Sequence, residues 1–193
     1  MTTAELVART RARLAARERR VVVGGPLVKA AVLVPILDRG DPWLVFAKRT
    51  DTVGQHAGQI SFPGGRVDHG DAGFLQAALR EAHEEVGLPP EVVEPLGALD
   101  DQETVATQYV ITPWVGLVRA PVAWRPDGLE IERVIEVPVA ALLDRANFRS
   151  ERWTRNGVSR DVYFYDYAGD TIWGATARIL RDYLAIVAAP DSP

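Results

Sequence analysis

The chain contains no cysteine, which excludes disulfides, thiolate metal sites and a cysteine nucleophile. No apolar run approaches the length of a membrane span, and the arginine-rich N-terminus has a helical pattern where a signal peptide needs an uninterrupted apolar stretch. No internal repeat, low-complexity tract or interdomain linker is present. There is no excess of positive charge either. With a formal net charge of −4, bulk electrostatics do not attract nucleic acid, so a polyanionic ligand has to be met locally by arginine, lysine or metal. These absences point to a cytoplasmic protein with no membrane and no nucleic-acid partner, while the oligomeric state is left open. At 193 residues and 47% hydrophobic, the chain has apolar content for one sizeable core, and one domain over residues 1–193 is expected.

What is present alternates between strand and helix patterns, which implies an α/β class. Residues 3–20 read as a helix with Thr3 as N-cap, carrying six arginines between Arg9 and Arg20. A face solvated with Glu5 and Glu18 is preferred over a role in attracting a phosphorylated substrate. Residues 28–37 are almost continuously apolar and predict a central strand buried on both faces, with a turn at 38–42 and a second, antiparallel strand at 43–47. Further strands are expected at 60–62, 92–99, 109–118, 149–154 and 162–167. Pro113 suggests an edge or a bulge in the 109–118 strand. A short helix follows the strand that ends near Val137, and a final helix starts at Gly174 with Ala177, Leu180, Leu184 and Val187 on one stripe. Phe46, Trp114 and Trp173 are read as core side chains in preference to base-stacking platforms, and residues 189–193 are expected to fray.

The stretch GGRVDHGDAGFLQAALREAHEEVGL, residues 64–88, concentrates the chemistry. Pro63, Gly64 and Gly65 predict a tight loop, since paired glycines permit positive φ and close backbone approach. The helix that follows places Leu75, Ala78, Leu79, Ala82 and Val86 on one apolar stripe, and Gly87 ends it ahead of Pro89 and Pro90. Glu81, Glu84 and Glu85 project beside that stripe. Glu81 and Glu85 are one helical turn apart, and anions late in a helix also oppose its dipole, so the cluster calls for a cation: arginine or a hard divalent metal. The helix contains no lysine to solvate these acids. Oxygen ligands beside a glycine loop suit Mg²⁺ or Mn²⁺.

At these residues the sequence resembles the signature of the Nudix hydrolases through Gly65, Arg80, Glu81, Glu84, Glu85, Gly87 and Leu88. Asp71 stands at the usual distance from Gly65, but it is Asp, and one extra residue separates it from Arg80. The resemblance implies a Nudix fold, a mixed β-sheet sandwiched between α-helices. It implies metal ligation by Glu81, Glu84 and Glu85 with the Gly65 carbonyl, and a catalytic set of Glu84, Glu85 and Arg80, with Arg80 orienting a carboxylate. Glu84, Glu103 and Glu132 are all open as general base. Upstream, Arg49, Gly58, Phe62, Pro63, Gly64 and Gly65 fit the pattern of the coenzyme A pyrophosphatase branch. Val45, Phe46, Ala47 and Thr50 depart from it, and Gly54 stands where that branch has a second arginine. Arg66, Lys48 and Arg125 are candidates to replace that cation. His56, in the same stretch, is read as a polar loop residue in preference to a catalyst.

The resemblance thus implies metal-assisted hydrolysis of a diphosphate, with coenzyme A or a derivative as substrate and Arg49, Arg66 and Gly64 as substrate-binding residues. ADP-ribose or another nucleoside diphosphate derivative is the alternative substrate, and a non-catalytic nucleotide-sensing domain is the alternative class.

Overall fold

A computed structural model describes residues 1–51, 57–104, 108–119, 121–155 and 157–189. Gly54, His56 and residues 190–193 of the expected tail lie outside them. In chain order the elements are α1 (Thr3–Ala15), β1 (Val28–Arg39), β2 (Asp41–Arg49), β3 (Ile60–Ser61), β4 (Gly64–Arg66), α2 (Phe74–Val86), β5 (Val93–Ala98), β6 (Gln102–Glu103), β7 (Tyr109–Val118), β8 (Ile131–Pro138), α3 (Val139–Leu143), β9 (Phe148–Arg155), β10 (Val158–Tyr167), β11 (Asp170–Trp173) and α4 (Gly174–Ala188). Among the described residues no helix is long and apolar enough to cross a membrane.

The main sheet is mixed: β7 runs parallel to β1, and the other pairings are antiparallel. As the unbroken apolar run requires, β1 lies in its middle. Its alternate residues feed two cores on opposite faces, Ala31 and Leu33 with α2 on one, Val34 and Ile36 with α1 and α4 on the other. The sheet is therefore sandwiched between helices. A second sheet, in the order β11-β10-β9, stands beside it. The strand at Asp170–Trp173 is not among those expected from sequence, because four residues give too short a run for period-two alternation to register.

One irregularity creates the site. β1 and β2 pair only from Ile36↔Leu44 to Arg39↔Asp41, then part. The edge that β1 vacates is taken by β4, with Gly65 opposite Ala31 and Gly64 opposite Val32. The edge that β2 vacates is taken by β3, with Ala47 opposite Ser61. Gly64 and Gly65 are thus a short strand where a loop was expected. Gly64 has φ 152°, and a Cβ there would stand 2.3 Å from the Ala31 carbonyl oxygen, so the close approach served by the glycine is to the protein's own backbone.

Tertiary context decides two other expectations. Pro113 lies in an interior strand, opposite the gap between β5, whose pairing with β7 reaches Ala98↔Trp114, and β6, whose pairing begins at Gln102↔Ile111. No ladder donor is needed there. Helix α1 stops at Ala15, and its cap is Thr2, whose hydroxyl accepts from the Glu5 N–H while Glu5 accepts from the Thr2 N–H. The arginines of α1 and of the segment after it have partners distant in sequence, while Arg11 stays exposed. Arg9 and Arg13 donate to the Val187 and Ala189 carbonyls at the end of α4, Arg11 pairs with Glu94, and Arg17 pairs with Asp100.

The arm after α1 is pinned by Asp101, a carboxylate 3% exposed. It accepts from the Thr112 hydroxyl at 2.7 Å and the Val22 N–H at 2.9 Å, with Arg19 at 3.6 Å. Replacing Asp101 by Ala strands a buried hydroxyl and an arginine. We expect a loss of about 2–4 kcal/mol, read as a lower urea midpoint at unchanged slope. An unchanged midpoint contradicts the pinning role.

Candidate active site

Helix α2 packs on the sheet through Ala77, Ala78, Ala82 and Val86, all fully buried. Ala77 replaces Leu75 in the expected stripe. Leu75 and Leu79 are only half-buried, because the small alanines bring the helix axis close to β1 and leave the longer side chains at the rim. Gly87, at φ 71°, ends the helix in the left-handed conformation, its N–H bonded to His83 and Ala82 carbonyls, and Leu88 buries itself behind the cap.

This close packing sets the glutamates against β4. Glu85 is 7% exposed, and its Oε2 accepts the Gly64 N–H at 2.9 Å. Arg49 approaches its Oε1 to 4.0 Å. Glu81 lies against Gly65 so closely that a Cβ on Gly65 would stand 2.5 Å from the Glu81 carboxyl carbon. Glu84 is the exposed member, with 57% of its side chain open to solvent.

Arg80 organises the rest. Its Nε and Nη2 donate to the two oxygens of Asp71, each at 3.1 Å, its Nη1 donates to Glu81 and Glu84, each at 3.0 Å, and its Nη2 also reaches the Arg66 carbonyl at 3.0 Å. Every N–H of the guanidinium is thereby used. Asp71, its side chain 4% exposed, is further held by the Asp68 N–H. The extra residue between Asp71 and Arg80 therefore does not prevent their pairing, and Arg80 forms ion pairs with Asp71, Glu81 and Glu84.

The surroundings set the charge states. Hydrogen bonding from Arg80 keeps Asp71 below its usual carboxylate range and raises Arg80. Burial raises Glu81, opposed by Arg80. Burial pushes Glu85 up to about 7, reinforced by Glu81 and opposed by the Gly64 N–H and Arg49.

A cleft of about 320 Å³ opens beside β4. Arg49, Phe62, Gly64, Gly65, Arg66 and Thr104 are among the residues that line it. Arg66 is held at its mouth by the Tyr109 hydroxyl at 2.8 Å and lies over that ring. Arg49 pairs with Glu130 at 2.8 Å, and its buried Nε has no partner among the described residues. Lys48 lines a neighbouring recess and stands 3.8 Å from Glu132. The backbone and Cβ of Arg125 lie against Gly87 at the end of α2, and Arg125 is not among the residues that line the cleft. Glu103 adjoins the cleft-lining Thr104.

Among the described residues, no three His, Cys, Asp or Glu side chains stand close enough together to hold an ion in this conformation, in which Arg80 holds Glu81 and Glu84. The donors nevertheless suit a hard divalent ion. They are carboxylate oxygens, and the glycine at position 65 leaves room for the Glu81 carboxylate where any Cβ would collide. The Gly65 carbonyl, in a strand paired to Ala31, can use a second lone pair.

A family model described as NUDIX domain matches residues 27–157. The chain is 40% identical over 154 residues to proteins named uncharacterized Nudix hydrolase NudL in Salmonella paratyphi B and Salmonella newport, covering 80% of each chain. Among solved structures it is similar to a C. elegans Ap4A hydrolase in a binary complex, at a TM-score of 0.55 and 20% identity over 84% of this chain and 98% of that one. A Nudix hydrolase from M. smegmatis, RenU, aligns at a TM-score of 0.50 and 23% identity over 60% of this chain and 73% of that one. At these identities the structural likenesses show the fold alone.

The raised Glu85 has a consequence for stability. Its folded value of about 7 exceeds the ordinary 4.5, so the proton favours the folded state. This contribution is fully present below about pH 4.5 and is lost as pH rises through 7. In metal-free protein, Glu85→Gln is expected to raise stability at pH 8 by on the order of 2–3 kcal/mol, with little change at pH 4.5. Parallel pH dependence of the two proteins in urea melts contradicts this.

Proposed function

The chain belongs to the Nudix hydrolases, and we propose that it hydrolyses the diphosphate linkage of coenzyme A or a derivative, releasing 4′-phosphopantetheine and adenosine 3′,5′-bisphosphate. The observation that carries the hydrolytic part is the Arg80 cluster, in which Glu81 is packed against Gly65 of the glycine-lined cleft and Glu84 shares the same guanidinium. A domain that only sensed a nucleotide would not need this set. Support for coenzyme A comes from Arg49, Gly58, Phe62, Pro63, Gly64 and Gly65, of which Arg49, Phe62, Gly64 and Gly65 line the cleft.

In this reading Glu81, Glu84, Glu85 and the Gly65 carbonyl hold Mg²⁺ or Mn²⁺. When bound, such an ion neutralises the carboxylates, draws charge from a phosphoryl oxygen and acidifies water. The chain's own residues supply position and proton handling. The Gly64 N–H fixes one oxygen of Glu85 and leaves the other toward Arg49. Asp71 anchors Arg80, so that Arg80 keeps its place if Glu81 or Glu84 turns to another cation. Arg49 and Arg66 offer guanidinium donors to phosphate oxygens along the cleft. Glu84, the exposed member of the cluster, Glu103 next to the cleft-lining Thr104, and Glu132 beside Lys48 are the carboxylates left to act as general base.

The test is incubation with Mg²⁺ and, in parallel, coenzyme A, ADP-ribose, NADH and diadenosine polyphosphates. Coenzyme A is expected to give the highest kcat/KM. A higher value for ADP-ribose would move the substrate to that alternative, and no hydrolysis of any member would leave the sensing role. On the preferred substrate Glu85→Gln is expected to lower kcat on the order of 10³-fold, and near-normal kcat contradicts the assignment. Gly65→Ala, which drives a methyl into the Glu81 carboxylate, is expected to lower kcat at least tenfold with folding retained.

A further inference from the structure

A second recess, of about 390 Å³, lies next to the cleft, and Ile60 of β3 lines both. The two also adjoin at the turn into α4, where Trp173 lines the recess and Ala175 and Thr176 line the cleft. The wall of the recess is the face of the three-stranded sheet on which Trp153, Phe164 and Trp173 meet. Their ring centroids are 6.0, 6.1 and 6.4 Å apart, and Phe164 and Trp173 are within 10° of parallel. Phe164 is buried under the Arg149 guanidinium, 3.8 Å from its ring centre. The indoles remain open, Trp153 at 47% and Trp173 at 36% exposure, so Trp173 is not the core residue expected from sequence. Two part-exposed tryptophans in one concave site form an apolar surface with open π faces.

The polar groups of the recess are arranged around this wall. Asp170 is fixed by Arg133 at 2.6 and 2.7 Å, and Thr171 donates to Asp166 at 2.6 Å. That leaves Lys48, only loosely paired with Glu132, as the cation on the side toward the cleft. Planar aromatic groups gain most from such a site, because stacking is indifferent to which base presents its face. A flexible aliphatic amide arm gains little from it.

We propose that Trp153 and Trp173 stack the base of a substrate whose diphosphate lies in the adjoining cleft, which makes them binding residues for the nucleotide half. The inference rests on the cleft being the diphosphate site, and its test separates the two. AMP and ribose 5-phosphate are titrated against metal-free protein while tryptophan fluorescence is followed, and KM and kcat are measured on the best diphosphate substrate. AMP is expected to change the fluorescence saturably and ribose 5-phosphate to do so far more weakly. Trp153→Ala is expected to weaken AMP binding and raise KM roughly tenfold with kcat held within twofold, and Trp153→Phe to recover most of the loss. Trp153 is exposed, so these variants fold. Equal binding of AMP and ribose 5-phosphate, or an AMP affinity indifferent to Trp153→Ala, overturns the proposal even if hydrolysis is fast. Tryptophan-dependent AMP binding without hydrolysis of any diphosphate upholds the base site and overturns the hydrolytic reading.

Discussion

The pairing of Arg80 with Asp71 is the interaction on which the site depends. Glutamates crowded on the last two turns of a helix repel one another and oppose the helix dipole. Arg80 offsets this while remaining anchored at Asp71, whose own oxygens are buried and fully engaged. The consequence is a carboxylate cluster held ready at the surface of the sheet. Glu85, buried and held by a backbone N–H, sits deepest in it.

That cluster has somewhere to act because β1 and β2 separate. The split admits β3 and β4, and β4 has glycines where Ala31, Val32 and Glu81 leave no space for a side chain. Strand pairing therefore exposes backbone groups and arginines along one cleft while α2 supplies the acids from one face of the sheet. The three-stranded sheet then adds an aromatic wall beside it. Stability and site geometry share these residues, so damage to one is expected to be felt in the other.

Much of this was legible in the sequence. The run at 28–37 gave the central strand, and the spacing of Arg80, Glu81, Glu84, Glu85 and Gly87 gave the acidic helix with its stop. What was not legible depended on partners distant in sequence. The role of Gly64 was read as loop freedom, whereas its cause is the Ala31 carbonyl. Pro113 is a signal for an edge or a bulge, and it stands in an interior strand opposite an irregularity in the partner pairing. The arginines of α1 looked solvated because their partners, at Glu94, Asp100 and the end of α4, are more than eighty residues away in several cases. Trp173 is read as core because that is the commoner place for an aromatic side chain, and the sequence does not reveal that the second sheet leaves a recess on that face.

The central claim is that these oxygens exist to grip a divalent ion, with Arg80 as a stand-in that yields Glu81 and Glu84 while keeping Asp71. Titration of Mn²⁺ followed by electron paramagnetic resonance, in the wild-type protein and in the Glu81→Gln/Glu85→Gln double variant, tests it most directly. A saturable site that is present in the first and lost in the second, with both proteins folded, is the predicted result. Equal Mn²⁺ binding by the two, or none by the wild type, would contradict it.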